Sequence, residues 1–533
     1  MTPRRDVAGT GVLLRFAVRR DRVRLPVWVL AGSALMWAQS TSNQSFYRTP
    51  AALAAYRASA GSNAASIAFS GPPVGLGTVA GTVAFEISGV LAVLAALMAT
   101  STVVRHTRAD EEAGRTELLR AGRLGRHAPL LAATGVSAAA CALLGAGIAA
   151  AAALSGLPGH GAVVLGAATA SAGLVWTGAT AVCAQLAGGA RSVYGLVGGL
   201  LGVAFVVRAL GDVTGDGASW ASPLGWAQAT HPWSDDRWWP LLLPLAAAAL
   251  SLAGARALLD RRDLGAGFLQ PRPGPATASR ALGSPLGLAW RLQRGALLAW
   301  AVGVALLGLV YGGLAESVRT LLADNPDAQV FFRGSSTAEL VDSYLGVTVR
   351  IAALLVTAYA VSATCRARTE EAAGRAEPLL AAAVGRARWL GSHLVVALGG
   401  ATALLVLDGL ATGASRAVAT GRAGEVGRLT GAALGYVPAV WVAAGFAAAL
   451  VGAVPAAAVP AAWTAFGGLL VVTLFADGFG WPAWVGDLSP LLRTPTVPAQ
   501  AWSAAPLLAL AAVAAGFLAV AFAAVRRRDV AAG

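Results

Sequence analysis

The sequence predicts an all-α integral membrane protein with about 12 transmembrane helices, arranged as two parallel pseudo-repeats of six. Three observations predict this fold class. The chain of 533 residues is 56% hydrophobic with a mean hydropathy of +0.65, which an ordinary soluble domain does not reach. Apolar runs of about 20 residues, long enough to cross a bilayer, recur along its whole length. A charged motif occurs at residues 108–126 and again at 368–386, each time between two apolar runs.

The apolar runs predict six spans in each half. The first run is short enough to resemble the core of a signal peptide, but its Trp28 has a counterpart in Trp300 at the start of the second half, where cleavage is meaningless. It is therefore interpreted as a span. The predicted spans are 24–43, 79–104, 128–154, 161–187, 192–212 and 238–258, followed by 294–314, 344–364, 389–409, 429–453, 455–476 and 502–525.

The chain is predicted to divide into a first six-helix half, residues 1–260, and a second six-helix half, residues 286–533. Between them, residues 261–285 are rich in Arg, Pro and Ser, a composition typical of an exposed linker. An even number of spans per half predicts a parallel repeat, related by an axis along the membrane normal.

Arginine-rich segments set the predicted orientation. The N-terminus, both charged loops, the linker and the Arg526–Arg528 tail all fall on one side, which the positive-inside rule assigns to the cytoplasm together with both termini. One loop, with Arg416, Arg422 and Arg428, would lie on the outer side in this orientation. The five other Arg-rich segments decide the prediction. The formal charge of +14 thus reflects membrane topology rather than nucleic-acid binding.

The chemistry of the chain is narrow. All 40 basic residues are Arg, so the chain lacks the Lys of a Walker A phosphate loop and the Lys amine of Schiff-base chemistry. The three Cys and five His show no metal-ligand spacing. We therefore predict no catalytic residue, no metal site and no cofactor bound by this chain.

The duplicated motif reads RADEEAGRTELLRAGRLGR in the first copy and RTEEAAGRAEPLLAAAVGR in the second. In each copy a Glu and an Arg stand four residues apart, which predicts a short helix with both on one face, and neighbouring Leu residues predict an apolar edge. The alternative is a solvated loop that only fixes topology; the matched charges favour a protein-docking surface. Its predicted residues are Arg108, Glu111, Glu112, Gly114, Arg115, Glu117 and Leu119, with Arg368, Glu371, Gly374, Arg375, Glu377 and Leu379.

Further matches extend the repeat. Asp212 corresponds to Asp477, Ser222-Pro223-Leu224 to Ser489-Pro490-Leu491, and the hexapeptide after Arg261 to the one that starts at Arg528. The halves also differ, because Thr473 stands where Arg208 would recur. Any site built on Arg208 is therefore expected to be asymmetric.

Charged and aromatic residues within spans predict a substrate path. Glu86 is the clearest intramembrane charge, and such charges usually face a bundle interior or a watery cavity. Glu86 and Arg208 are expected either to pair or to line the path, with a structural ion pair as the alternative. Aromatic side chains predicted to line it, or otherwise to serve packing, are Phe85, Trp176, Phe205, Tyr359, Trp463 and Phe466. The segments 44–77 and 315–343 are predicted to cap the outer exit.

The duplicated motif between the second and third spans of each half, together with the segment from Arg208 to Trp226, resembles the permeases of ABC exporters of polyketide antibiotics, of the tetronasin-resistance type. The resemblance covers essentially the whole chain. It implies two fused exporter-type membrane domains served by a separate ATP-binding protein, which binds ATP and Mg²⁺. It also implies that residues 108–122 and 368–382 are coupling helices.

The predicted function is that of a permease in the plasma membrane of a GC-rich actinobacterium. It exports a hydrophobic or amphipathic compound such as a polyketide antibiotic, and so confers drug resistance. The predicted partners are a homodimer of the ATP-binding protein, membrane lipid and the small-molecule substrate, with no nucleic acid. The main alternative is a secondary drug exporter driven by an ion gradient, with Glu86 and Arg208 as its relay. A lipid-modifying enzyme and a channel are disfavoured, because the His residues are scattered and no span carries a polar run.

Overall fold

Long apolar helices make up most of the protein in the computed structural model. Ten helices within its described part are long and apolar enough to cross a membrane. The protein is therefore an all-α, multi-pass membrane protein; between described residues the only β contact is an isolated bridge from Ala187 to Leu269. The structure describes residues 6–62, 64–120, 122, 124–263, 265–269, 276–323, 337–382, 384–475 and 482–528.

The chain forms two compact units, Met1–Gly274 and Pro275–Gly533. Unit 1 begins with an amphipathic helix and ends with a helix that leads to Arg262. Its helices are α1 (Thr10–Arg20), α2 (Arg24–Phe46), α3 (Pro50–Ala60), α4 (Ala64–Ser70), α5 (Val79–His106), α6 (Arg108–Glu112), α7 (Arg115–Arg120), α8 (Ala128–Leu154), α9 (Gly159–Leu186), α10 (Ala190–Thr214), α11 (Pro223–Gln228) and α12 (Leu242–Asp260).

Unit 2 repeats this order of long helices. Its helices are α13 (Pro285–Ala323), α14 (Thr337–Ala372), α15 (Glu377–Ala381), α16 (Arg386–Thr420), α17 (Gly424–Leu434), α18 (Val437–Ala453), α19 (Ala458–Phe475), α20 (Ala483–Gly486) and α21 (Ala504–Arg527). Short 3-10 turns at Ala218–Ala221, Trp239–Leu241 and Arg280–Gly283 complete the described secondary structure.

Each predicted span contains a helix, but two helices fall outside the ten. Helix α2 carries a run of polar residues, 39–44, that lowers its hydropathy, and α19 is a shorter apolar helix. The predicted span 429–453 is interrupted, since α17 ends at Leu434 and α18 begins at Val437 with Pro438 in its first turn. Proline cannot continue a helix ladder because it has no backbone N–H.

The cores lie where small residues let helices approach closely. In unit 1, a Cβ added to Gly145 of α8 would lie 2.4 Å from the carbonyl oxygen of Gly166 in α9, and the reverse substitution meets the same distance. Small residues at such crossings drive packing between membrane helices. Helices α5 and α9 in unit 1 and α14 in unit 2 are the most buried of the long helices.

Each unit has two ends, which are named by the segments they carry. We call the end that carries the charged loop and the last residues of α12 or α21 the loop end. The opposite end of the same helices, which holds the last turns of α10 or α19, is called the far end. The outer segment 44–77 of unit 1 forms α3 and α4 at this far end, whereas part of 315–343 lies outside the described residues.

Candidate functional site

A glycine in the left-handed region breaks each charged loop at the same place. Gly114 has φ +69° and Gly374 has φ +70°, a conformation that other L-residues rarely adopt. In unit 1 the glycine separates α6 from α7, and in unit 2 it separates α14 from α15. The predicted single helix with Glu111 and Arg115 on one face is therefore wrong, and so is its counterpart with Glu371 and Arg375.

Glu111 lies inside unit 1 and holds two arginines. Its carboxylate accepts hydrogen bonds from Arg108 at 2.8 Å and from Arg262 at 2.6 Å. Arg108 is only 1% exposed and donates further hydrogen bonds to the carbonyl oxygens of Ala266, at 2.8 Å, and Ala184. The guanidinium groups of Arg108 and Arg262 thus donate their hydrogen bonds within unit 1, as buried charges require.

Glu371 is the equivalent anchor of unit 2. It is 1% exposed, accepts two hydrogen bonds from Arg528 at 2.7 and 2.8 Å, and forms an ion pair with Arg368 at 3.3 Å. Arg368 also donates to the carbonyl oxygen of Pro455 at 2.9 Å. Arg108, Glu111, Arg368 and Glu371 are among the docking residues predicted from the sequence, but these internal contacts already occupy their charged groups.

A second acidic residue in each loop binds the arginine that follows the glycine. Asp110 accepts from Arg115 at 2.9 Å, and Glu370 accepts from Arg375 at 2.6 Å. The hydrogen bond to Glu370 raises the pKa of Arg375. Asp110 is also bound by Arg20 of α1 at 2.8 Å, so α1 fastens the first loop.

The remaining loop residues face outward in an identical pattern. Residues 112–118 and 372–378 alternate between exposed and covered positions in the same order, with Thr116 and Ala376 as their single buried positions. Leu118, between two exposed charges and the end of α7, is 79% exposed. The predicted docking residues that are exposed are Glu112, Arg115, Glu117, Arg375 and Glu377.

The apolar edges of the loops differ. Leu379 and Leu380 are half-buried against the core of unit 2, and Pro378 replaces Leu118 on the surface. The side chain of Leu119 lies outside the described residues. Glu112 has a second role, because its carboxylate accepts from the backbone N–H of Ala190 at 2.8 Å and so caps α10.

Glu86 lies in a polar cluster near the far end of unit 1. Asn43 and Gln39 of α2 donate to one of its carboxylate oxygens at 2.9 and 2.5 Å, and Tyr56 of α3 also hydrogen-bonds to the carboxylate. No described Arg or His forms an ion pair with Glu86. The polar residues that shorten the apolar run of α2 are thus the partners of this carboxylate.

Arg208 has its own partners, so the predicted pair with Glu86 does not form. It is 1% exposed and donates to Gln228 at 3.3 Å and to the carbonyl oxygen of Ala68 in α4 at 2.5 Å. It also lies 3.4 Å from Asp212 and 4.7 Å from the ring centroid of Phe205. Arg208 therefore ties α10 to α4 and α11.

Unit 2 has a simpler far end. Thr473, at the place of Arg208, shares a hydrogen bond of 2.8 Å with Ser489. Asp477, the counterpart of Asp212, lies outside the described residues. The asymmetry predicted from the sequence at this position is present.

The aromatic residues of the predicted path do not meet in one place. Trp176 and Tyr359 are buried in the cores of their units, and Phe85 lies edge-on to Tyr56. Trp463 is 41% exposed and lies edge-on to Phe466. Their role in a substrate path stays a prediction.

Each unit carries one notable concave surface among the described residues. In unit 1 a cavity of about 720 Å³ runs along α3 and is lined by Leu53, Arg57 and Leu76 among others. In unit 2 an apolar cavity of about 330 Å³ lies on α13, beside Trp300 and Leu355. The first exceeds the minimum size of a drug-sized ligand site, and the second lies near that minimum.

Sequence reasoning missed several residues of these sites. Arg262 and Arg528 stand out in the sequence only as the start of a repeated hexapeptide, with an Arg-Asp pair after the last span of each half as the available signal. Gln39 and Asn43 are easily missed, because polar residues within an apolar run lower its hydropathy and suggest only a poorer membrane span. They stand four residues apart, so both lie on one face of a helix, and the neighbouring span carries an intramembrane Glu. This combination is the signal that identifies them.

Comparison with known proteins agrees with this architecture. A family model described as "Multidrug efflux system permease Rv1217c, C-terminal domain" matches residues 14–258 and 282–526. The multidrug efflux system permease protein Rv1217c of Mycobacterium tuberculosis is 38% identical over 525 residues, which cover 98% of this chain and 95% of that protein. The predicted permease is thereby confirmed, whereas a specificity for polyketide antibiotics stays a prediction. The chain belongs to the family of the multidrug efflux system permease Rv1217c.

Proposed function

We propose that this chain is the membrane-spanning subunit of an ATP-driven exporter of the ABC type, and that its two charged loops receive force from a separate ATP-binding protein. One observation carries the proposal. The exposed residues of the two loops follow an identical pattern of exposure around a left-handed glycine, above an equivalent contact between a Glu and the Arg that follows the last helix. A loop that only fixed topology would not need two matching outward surfaces.

A homodimer of the ATP-binding protein is the partner that best fits this duplication. A dimer offers two equivalent binding surfaces, and Arg115 with Glu117 matches Arg375 with Glu377. Both loops thus present one exposed positive and one exposed negative charge at the same spacing, and the first loop adds the exposed Glu112. Such pairs give register and specificity at an interface more than raw affinity.

ATP chemistry is assigned to the partner. A phosphate loop of the Walker A type uses a Lys on the nucleotide phosphates, and this chain contains no Lys. We therefore place ATP and Mg²⁺ in the partner. In this proposal the present chain supplies the path and the moving helices.

The proposed cargo is hydrophobic or amphipathic, with polyketide antibiotics of the tetronasin type and other drugs as candidates. The relative from Mycobacterium tuberculosis is named a multidrug efflux permease, which supports drugs as the substrate class. The cavity of unit 2 supports it too, because its wall is almost entirely apolar. We place the protein in the plasma membrane of an actinobacterium, with each charged loop in the cytoplasm.

The test is purification of the chain with its ATP-binding subunit and reconstitution of the complex in liposomes. ATP added outside these liposomes should drive uptake of the dye Hoechst 33342 into them. Arg115→Glu combined with Arg375→Glu should weaken binding of the ATP-binding subunit by at least about tenfold, since it reverses the positive charge that each loop presents to the partner. Arg57→Glu, an exposed arginine at the far end, is the matched control and should bind normally.

The ion-gradient alternative is decided in the same vesicles. It draws support from Glu86, whose described partners are neutral donors. If dye uptake persists without ATP, stops when the proton gradient is collapsed and is abolished by Glu86→Gln, then the ABC proposal is wrong.

A further inference from the structure

We propose that Arg262 and Arg528 are positioning residues that fasten each charged loop to the last long helix of its own unit, so that loop and helix move as one body. The inference rests on the proposed function, in which the loops receive force. It adds the element to which that force is passed, namely α12 in unit 1 and α21 in unit 2.

In unit 1, Arg262 follows the end of α12 by two residues and points back into the loop. Its Nη2 lies 2.6 Å from Oε1 of Glu111, and its Nη1 lies 3.2 Å from Oε2. Its Nε donates to the side chain of Gln185 in α9 at 2.6 Å. The guanidinium is 4% exposed, so this two-pronged contact is shielded from solvent.

In unit 2, Arg528 directly follows the end of α21 and repeats the contact. Both oxygens of Glu371 accept from it, at 2.7 and 2.8 Å. Its Nη2 also reaches the carbonyl oxygen of Val451 in α18 at 3.3 Å. The same two-pronged geometry, built in two units from residues far apart in sequence, argues for a shared mechanical task.

A second arginine attaches each loop to the last helix, at the C-terminal side of the exposed segment. Arg126 donates to the carbonyl oxygens of Leu259 and Arg262 at 2.7 and 2.8 Å. Arg386, its counterpart, donates to the carbonyl oxygen of Arg528. Each loop is thus held to the end of the last helix both before and after its exposed segment.

This double attachment restricts relative motion. A bidentate Arg–carboxylate pair fixes orientation as well as distance, and a buried pair is weakly screened. A push on the exposed segment therefore reaches the last helix with little slack. Loss of the arginine should leave the exposed docking residues in place while freeing the loop from that helix.

The first test measures coupling in the reconstituted complex. Arg262→Gln combined with Arg528→Gln should still bind the ATP-binding subunit and hydrolyse ATP, but the number of ATP molecules used per Hoechst 33342 molecule exported should rise about tenfold. Arg262→Lys with Arg528→Lys, which keeps the charge but not the fork, should give an intermediate ratio. A purely structural role would instead lower expression, hydrolysis and export together.

Neighbouring arginines provide the matched control. Arg261 and Arg527 precede the positioning residues by one position and are exposed. Arg261→Gln with Arg527→Gln should leave the ATP-to-dye ratio unchanged. An unchanged ratio in the Arg262→Gln, Arg528→Gln complex would overturn the proposal; if that complex does not fold, the Lys pair decides by the same criterion.

The second test measures motion directly and does not depend on transport. Spin labels at Leu118→Cys in α7 and Arg256→Cys in α12, both exposed, report the distance between loop and helix. The native Cys141, Cys183 and Cys365 are buried. In the complex the distance should be the same without nucleotide and with ATP, and its distribution should broaden after Arg262→Gln.

A shift of several ångström between the nucleotide states, with Arg262 intact, would overturn the inference. The proposed function fails by a different result, namely that no ATP-binding subunit binds the wild-type chain or that ATP does not drive export. The two failures are therefore distinguishable.

Discussion

The two ends of each unit follow different rules. At the loop end, Glu111 with Arg262 and Glu371 with Arg528 form the same buried contact, under exposed residues of identical pattern. At the far end, Arg208 of unit 1 binds Gln228 and α4, whereas Thr473 of unit 2 shares a hydrogen bond with Ser489. The loop ends of the two units are therefore alike, whereas their far ends differ.

The proposed function accounts for this difference. A surface that meets two copies of one partner must stay the same in both halves, or one copy would bind poorly. A surface that meets a single asymmetric substrate has no such constraint. The loop ends fit the first condition, and the far ends fit the second. Four predictions test this comparison, from the largest expected effect to the smallest.

The loop ends should be energetically equivalent. Glu111→Gln leaves the buried Arg108 and Arg262 without their carboxylate, and Glu371→Gln does the same to the mostly covered Arg368 and Arg528. Each substitution should lower the free energy of unfolding by about 3–5 kcal/mol. Urea unfolding in detergent, followed by tryptophan fluorescence, measures it. The exposed Glu117→Gln and Glu377→Gln should change it by less than about 0.5 kcal/mol. A large loss in only one unit would break the equivalence.

The far ends should be unequal. Arg208→Ala removes hydrogen bonds from a buried charged group and should cost about 1.5–3 kcal/mol, whereas Thr473→Ala should cost about 1 kcal/mol. Hydrogen exchange should also rise in residues 64–70 only for Arg208→Ala, because Arg208 holds the carbonyl oxygen of Ala68. Equal costs and an unchanged exchange pattern would contradict the asymmetry.

The glycine breaks should again behave alike. Gly114→Ala and Gly374→Ala meet open space, so their cost comes from the left-handed backbone and should be about 1–2 kcal/mol each. Asparagine tolerates this conformation, so Gly114→Asn and Gly374→Asn should cost clearly less. Urea unfolding separates the two substitutions. An alanine variant as stable as wild type in either unit would show that its loop does not need the break.

The smallest effect concerns pH at the far end of unit 1. Burial, with help from Arg237, lowers the pKa of His231 below its ordinary value, so the unfolded chain takes up this proton at a higher pH than the folded protein. Stability should therefore decrease as pH falls through the ordinary His range. His231→Asn, which tolerates the left-handed φ of 46°, should reduce that slope in pH-dependent unfolding. If the unfolding free energy of His231→Asn depended on pH as steeply as that of the wild type, His231 would not be the group responsible.

Hydropathy predicted the long helices because crossing a bilayer demands apolar length, and the span 128–154 coincides with α8. It underestimated α13, which extends from Pro285 to Ala323, since the ends of a helix beyond the apolar region carry no such signal. The i, i+4 spacing in the loops also misled, because a continuous helix and a helix broken by a left-handed glycine share that spacing.

The candidate site was only partly predictable for a related reason. The loops were found because their charges repeat in sequence. The contacts of Glu111 with Arg262 and of Glu86 with Asn43 join segments far apart in the chain, and no local periodicity encodes them. The repeat of the Arg-Asp pair marked Arg262 and Arg528 as important but could not say what they bind.

One asymmetry at the loop end has a mechanical consequence. In unit 2, α14 runs without interruption from Thr337 to Ala372, a stiff rod of about 54 Å at 1.5 Å per residue. In unit 1 the equivalent helix is jointed, because Thr107 leaves the helical conformation (φ −123°, ψ −93°) between α5 and α6. A rod carries a tilt along its whole length, while a joint absorbs part of it. Equal strokes delivered to the two loops would therefore arrive at the opposite membrane face with unequal amplitude.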